Sequence, residues 1–327
     1  RALEVCLAAL EGAEHGVAFG SGMAATATLA LTLKPGERVL IPDDVYGGTY
    51  RLFARVTADL GIPFTTVDMT DLDAVGRALD GGAALVFAET PTNPTLKVLD
   101  LAALATMAHD AGALFAVDNT FATPFLQRPL ELGADVVMYS ATKYLGGHSD
   151  LVMGLLATSD DDLATRLRFL QNAVGAIPGP FDSWLLLRGL KTLAIRMRAH
   201  CAGASRVAAW LTEQPAVTKV YYPGLADDPG FAIATRQMTG AGEPLYGGMV
   251  SFEVDSEERA LSVCERTRLF LLGESLGAVE SLIEHPAKMT HASLEGSGME
   301  VPGTLIRLSV GIEHPDDLIA DLARALA

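Results

Sequence analysis

The residue in this chain with the most chemical potential is a lysine at the end of an apolar run. Lys143 closes the segment Val-Val-Met-Tyr-Ser-Ala-Thr-Lys, residues 136–143. Burial near other cations disfavours the ammonium, and the neutral amine is then a nucleophile able to form a Schiff base. Ser140 and Thr142 bring hydroxyls suited to a phosphate. A solvated loop lysine is the plainer reading of the same segment. Asp118 ends another apolar run, 114–117. A carboxylate there either caps a turn with Asn119 and Thr120 or keeps a pyridine-type nitrogen protonated, so that the ring acts as an electron sink. Gly20-Ser21-Gly22-Met23-Ala24-Ala25 follows a short apolar run and opens a helix, where free N–H groups and the helix dipole favour an anion. The same spacing fits G-x-G-x-x-A, with Asp43 and Asp44 about 20 residues on, so a dinucleotide and a nicotinamide-dependent oxidoreductase stay open, as does an ordinary strand-to-helix turn.

Three further residues complete the set. In 305–310, alternation puts Leu305, Arg307 and Ser309 on one face. Arg307 can then grip a carboxylate through two parallel hydrogen bonds, or lie on the solvent face of an edge strand. Tyr46, in the loop 44–49, can stack on a flat cofactor and offer its hydroxyl to a reacting group, or be an ordinary loop aromatic. Asn93 sits in the turn Pro91-Thr92-Asn93-Pro94 and either orients a ligand or only shapes the turn.

These side chains need a frame that brings strand ends together. Short apolar runs at 16–19, 38–42, 64–68, 84–88, 114–117 and 136–139 alternate with helical patterns such as 1–11, 23–33, 50–60 and 101–111. Continuously apolar strands separated by helices predict a mostly parallel sheet covered on both faces. In such sheets ligands bind beyond the carboxyl ends of the strands, where Asp118, Ser140, Thr142 and Lys143 fall. A long helical pattern over 183–211 leads into short strands at 217–222, 248–254 and 305–310 with helices near 257–270 and 315–326. This predicts a large domain over 1–195 and a smaller α+β domain over 196–327.

The 24 Lys and Arg against 40 Asp and Glu leave a net charge of −16, which argues against nucleic acid or an anionic membrane as partner. The longest nearly apolar run, 24–33, is too short to span a bilayer. Cys6, Cys201 and Cys264 have no metal or redox spacing, and reduced thiols in a cytoplasmic protein are expected. The seven histidines lack ligand spacing, so no metal site is expected, and no G-x-S-x-G elbow is present.

Residues 140–150 (SATKYLGGHSD) and 117–135 (VDNTFATPFLQRPLELGAD) strongly resemble the Cys/Met-metabolism family of pyridoxal-phosphate (PLP) enzymes. So do AFGSGMAA (18–25), DDVYGGTYRLF (43–53), ETPTNPTLKV (89–98), QNAVGAIPGPFDSWLLLRGLKTL (171–193), ESLGAVESLIEHPAKMTHAS (274–293) and LIRLSVGIEHPDDLI (305–319). The blocks run in order along nearly the whole chain. The resemblance implies an α/β fold of the fold type I PLP-dependent transferase kind, with pyridoxal 5'-phosphate, not a dinucleotide, at 20–23. It implies that Lys143 forms the Schiff base and later shuttles protons. Asp118 pairs with the ring nitrogen. Gly22 and Met23 offer amides, and Ser140 and Thr142 hydroxyls, to the phosphate. Tyr46 stacks on the ring, and Asn93, Ser281 and Arg307 surround the substrate carboxylate and cofactor oxygen. The family's Y-x-R-x-x-N-P-T block, whose Tyr and Arg reach a neighbouring subunit's phosphate, lies upstream of the position matching Arg1. A homo-oligomer, typically a tetramer built as a dimer of dimers, is expected.

Within the family, methionine γ-lyases carry a Cys near the active-site Tyr, whereas this loop reads Tyr46-Gly47-Gly48-Thr49. Glu280 is similar to an acid that cystathionine enzymes show before the serine, where it meets a distal ammonium. The resemblance therefore implies γ-elimination on a sulfur amino acid, most like cystathionine γ-lyase. Cystathionine γ-synthase acting on an O-acylhomoserine and methionine γ-lyase are the alternatives. A non-catalytic ligand-binding relative is the reading from another class.

Overall fold

The computed structural model describes residues 1–290 and 300–327; the last residues of the 274–293 block lie outside them. The described residues form two sheets. The first contains β1 (His15–Phe19), β2 (Val39–Pro42), β3 (Phe64–Val67), β4 (Leu85–Glu89), β5 (Leu114–Asp118), β6 (Val136–Ser140) and β7 (Gly154–Thr158), in the order β1-β7-β6-β5-β4-β2-β3. From β6 across to β3 all neighbours are parallel. β7 runs antiparallel to both β6 and β1. The chain has an α/β fold with a mostly parallel first sheet.

Strict alternation explains why these strands read as unbroken apolar runs. Leu40, Val86, Phe115 and Val137 enter the core on one face of the sheet. Ile41, Phe87, Ala116 and Met138 enter the core on the other. With both faces covered, β2, β4, β5 and β6 leave no position for a solvent-facing polar side chain until the strand ends, whereas Thr66 of the edge strand β3 is exposed. The helices between start at side-chain caps. Ser21, Asp71, Asp100, Asp160 and Ser256 each accept a backbone N–H from the first turn of the helix that follows.

The second sheet contains β8 (Val217–Tyr221), β9 (Met249–Val254), β10 (Leu271–Leu272), β11 (Leu282–Glu284) and β12 (Leu305–Ser309), in the order β10-β11-β12-β9-β8. β12 is interior, between β11 and β9, so Arg307 is not on an edge. The single helix expected over 183–211 is two, Pro180–Leu190 and Leu193–Thr212. The break has a tertiary cause. The Gly189 carbonyl accepts from Arg196 Nη2 at 2.9 Å and from the Thr192 N–H at 3.1 Å, and Arg196 Nη1 holds the Tyr144 carbonyl at 2.6 Å. The second helix joins the two cores. Leu193, Met197 and Cys201 pack with the first sheet, and Ala204, Val207, Ala208 and Leu211 with the second. No helix among the described residues is long and apolar enough to cross a membrane.

In the first sheet, the antiparallel β7 is the strand that the alternating pattern did not mark. Its first residue must be glycine, because a Cβ on Gly154 would lie 2.1 Å from the carbonyl oxygen of Ser21, the cap of helix Gly22–Ala30. Gly154→Ala is expected to cost about 1–3 kcal/mol through overpacking, read as a lowered thermal midpoint. An unchanged midpoint would show that β7 does not press on this helix.

Candidate active site

Four parallel strands end at one cleft, and each delivers a polar group there. Asp118 ends β5 and is 5% exposed. Its Oδ1 accepts the Thr120 N–H at 2.9 Å and the Thr120 hydroxyl. Burial pushes its carboxyl up to about 6 against these hydrogen bonds. Directly across the ladder, at the end of β4, stands Glu89. Glu89 accepts the Tyr46 N–H at 3.1 Å on one oxygen and the Asn93 N–H at 2.9 Å on the other. Burial and then the charge of Asp118 push its carboxyl well above the usual range. One side chain thus ties the loop after β2 and the turn after β4 to the strand next to Asp118.

Lys143 lies in the tight turn after β6, held by its own N–H to the Ser140 carbonyl at 3.1 Å and by Gly147 N–H to its carbonyl at 2.8 Å. Its ammonium donates to Ser275 Oγ at 3.0 Å. Burial, then the nearby Arg307 guanidinium, bring it down to about 8, while Glu284 and Glu274 oppose the shift. Neutral amine is therefore accessible near physiological pH, the condition for a Schiff-base lysine.

Arg307 is 2% exposed. Nη1 donates to Asn93 Oδ1 at 2.8 Å and faces Glu284 Oε1 at 2.9 Å. Nη2 donates to the carbonyls of Glu274 and Ser275 at 3.0 and 3.3 Å. Tyr46 is 37% exposed at the start of helix Gly47–Leu52, and burial keeps its phenol protonated above its ordinary value. All these groups except Glu284 and Ser275 line one cavity of about 270 Å³, together with Ser21, Gly22, Met23, Ser140 and Thr142.

The structure does not bring Glu280 and Ser281 into this cavity. Glu280 is exposed. Ser281 is buried, donating to Glu313 Oε2 at 2.8 Å and accepting the Gly311 N–H at 2.8 Å. Glu274 and Ser275 stand where those two were expected. The cause is a repeated tripeptide: Glu-Ser-Leu occurs at 274–276 and again at 280–282, and only the contacts tell the copies apart. Glu89 and Glu284 also escaped the sequence reading. Glu89 carried a signal, as a polar residue closing an apolar strand. Glu284 carried none, because its partner lies on another strand. Glu14, His15 and Asp161 meet at the surface, with His15 Nε2 2.7 Å from Asp161 Oδ1, a grouping that sequence spacing could not reveal.

The cavity fits pyridoxal phosphate at each functional end. Gly22 must lack a side chain, since a Cβ there would lie 2.9 Å from Ser140 Cβ. That opening faces the first turn of helix Gly22–Ala30, where the N–H groups of Gly22 and Met23 have no acceptor within the helix. Thr142 Oγ1 accepts the Met153 N–H at 3.1 Å and donates only a long 3.3 Å bond to the Met153 carbonyl, so its proton is readily turned to an anion. Asp118 suits a ring nitrogen and Lys143 an aldehyde.

Fold and site together describe a PLP enzyme of amino-acid chemistry. Over residues 1–327 the chain matches the family described as Cys/Met metabolism PLP-dependent enzyme, and it belongs to that family. It is 53% identical to the cystathionine gamma-synthase of Mycobacterium tuberculosis over 327 residues, covering 99% of this chain and 83% of the relative. It is 50% identical to the cystathionine gamma-lyase of Dictyostelium discoideum over 330 residues, covering 100% and 84%. The crystal structure of metB from Corynebacterium glutamicum superposes with a TM-score of 0.97 at 48% identity, covering 99% of this chain and 84% of that one. The protein is a PLP-dependent carbon–sulfur lyase or transsulfuration enzyme, and its cofactor is pyridoxal 5'-phosphate.

Two expectations follow from the geometry. Gly22→Ala should weaken PLP binding to the apoprotein by about tenfold or more with unchanged circular dichroism; equal affinity would remove the cradle. Acetylation of Lys143 in the apoprotein, followed by mass spectrometry, should rise with pH through a midpoint of about 8. Arg307→Met removes a cation that disfavours the ammonium, so the midpoint should move up. A midpoint near that of exposed lysines in the unmodified chain would contradict the buried-amine reading.

Proposed function

We propose that this enzyme carries out γ-elimination on cystathionine, with one water consumed in hydrolysis of the eliminated product, giving cysteine, 2-oxobutanoate and ammonia. The observation that carries the reading is the set of charges lining one cavity. Arg307 offers a guanidinium for an α-carboxylate, Lys143 an amine, Tyr46 a phenol, and Glu274 a second, solvent-facing carboxylate. An amino acid with a distal ammonium answers all four.

PLP, when bound, supplies an electron sink for negative charge at the carbons next to the amino group. The chain's own residues do the rest. Gly22, Met23, Ser140 and Thr142 would hold the phosphate, Asp118 would hold the proton of the ring nitrogen, and Tyr46 would cover the ring. Arg307 and Asn93 fix the substrate carboxylate. Lys143, once its amine is free, takes the α-proton, gives it up to the electron sink that the bound cofactor would supply, and as a free amine again takes a β-proton, a task for which its depressed pKa suits it. Tyr46 stays protonated and delivers its proton to the departing γ-sulfur. Glu274 pairs with the distal ammonium and so selects cystathionine over methionine.

A second reading is γ-replacement on an O-acylhomoserine, favoured by the high identity to a relative named cystathionine gamma-synthase. It uses the same residues, with the acyloxy group leaving the γ-carbon as a carboxylate and a thiol adding in its place. The loop 46–49, without a Cys, disfavours methionine as main substrate. Small amino acids are the substrates in either case. The exposed apolar side chains Phe169, Ile177, Phe181 and Trp184 support a homo-oligomer. The free thiols of Cys6, Cys201 and Cys264 support a cytoplasmic location.

Two measurements test the reading. Offered cystathionine and methionine separately, the holoenzyme should release 2-oxobutanoate mainly from cystathionine. Release mainly from methionine would overturn it, and failure with both would move the assignment to γ-replacement. Glu274→Ala should raise KM for cystathionine about tenfold or more while leaving KM for methionine within about threefold. Equal changes for both substrates would deny Glu274 its selective role.

A further inference from the structure

Arg307 makes a buried ion pair behind the cavity. Glu284 on β11 stands directly across from Arg307 on β12 in the antiparallel register. Their side chains are 0% and 1% exposed, and Glu284 Oε1 lies 2.9 Å from Arg307 Nη1. Thr290 Oγ1 donates to the same oxygen at 2.9 Å, which anchors the carboxylate from its other side. Glu284 does not line the cavity, so it reaches substrate only through Arg307.

The hydrogen bonds of Arg307 show what Glu284 controls. A guanidinium has five N–H groups. Nη1 is shared between Asn93 and Glu284, Nη2 between the carbonyls of Glu274 and Ser275, and Nε has no partner among the described residues. Asn93 comes from the first sheet and the two carbonyls from the turn before β11, whereas Glu284 is fixed by the ladder that carries Arg307 itself. It is the one partner that cannot shift independently of the arginine. It is also the anion that offsets two cations, Arg307 and Lys143, enclosed in the same place.

We propose that Glu284 is a positioning residue for the carboxylate hook. By fixing the plane of the Arg307 guanidinium from behind, it keeps Nε, the donor without a partner among the described residues, free for the α-carboxylate of every substrate. The inference rests on the reading of Arg307 as that hook. Geometry is the main contribution, so an oxygen acceptor at the same reach should serve even without charge, whereas a shorter acid should not.

The test uses the PLP-loaded enzyme and two non-substrate probes, butanoate, a carboxylate without an amine, and propylamine, an amine without a carboxylate. Dissociation constants are measured by calorimetry. Glu284→Ala and Glu284→Asp should each weaken butanoate about tenfold or more, and Glu284→Gln should recover most of that loss. Propylamine should change less than about twofold in all three, because its site is Lys143 and the cofactor. In turnover, KM for cystathionine and methionine should rise together with the butanoate constant, while kcat moves less than about threefold. Butanoate affinity unchanged in Glu284→Asp would overturn the proposal, as would equal weakening of butanoate and propylamine, the mark of a merely structural role. Should Glu284→Ala fail to fold, the contrast between Glu284→Asp and Glu284→Gln decides the matter. Arg307→Ala separates the two levels of the argument. If it leaves butanoate binding intact, the hook itself is misassigned and both readings fall. If it abolishes binding while the Glu284 variants keep wild-type affinity, Glu284 alone is struck out.

Discussion

The buried guanidinium of Arg307 is the point at which the two sheets become one site. It grows from the interior strand of the second sheet, pairs with Glu284 on the next strand, and reaches Asn93 in the turn after β4 of the first. It also holds the turn that contains Ser275, whose hydroxyl receives the Lys143 ammonium. A buried cation of this kind persists only with its partners in place, and removing one partner of such a pair costs on the order of 3–5 kcal/mol. The groups that would meet substrate are therefore held by one connected set of hydrogen bonds.

The first sheet supplies the complementary constraint. Its inner parallel strands β2, β4, β5 and β6 are buried on both faces, so polar groups appear only at their ends, and the ends coincide. Crowding ionisable groups into so dry a place shifts them toward their neutral forms. Lys143 falls to about 8, Asp118 rises to about 6, and Glu89, beside Asp118, rises further. A free amine is what a PLP lysine needs, and Asp118, at about 6, remains mostly a carboxylate at neutral pH, as pairing with a protonated ring requires. The same burial that makes the strands legible as apolar runs also tunes the chemistry at their ends.

That coupling explains how much of the site was readable in advance. Lys143, Asp118 and Ser140 each close an apolar run, and the cleft at the strand ends follows from the α/β alternation. The order of the strands and the antiparallel β7 did not follow, because pairing partners are set by contacts far along the chain. The break near Thr192 has no Pro to mark it, since its cause is the guanidinium of Arg196 on the Gly189 carbonyl and on the distant Tyr144 carbonyl. The carboxylate neighbours of the substrate were misplaced for a related reason. Two copies of Glu-Ser-Leu offer the same local chemistry, and only folding puts Glu274 on the cavity wall, Ser275 against the Lys143 ammonium and Ser281 against Glu313. Local periodicity reports burial well; it is blind to register.

The account depends on Lys143 being the residue that carries the cofactor. The direct measurement is borohydride reduction of the PLP-loaded enzyme, followed by digestion and mass spectrometry of every lysine-containing peptide. The account predicts a single pyridoxyl mark, on the peptide containing Lys143. A mark on another lysine, or a loaded protein that acquires none, would contradict it.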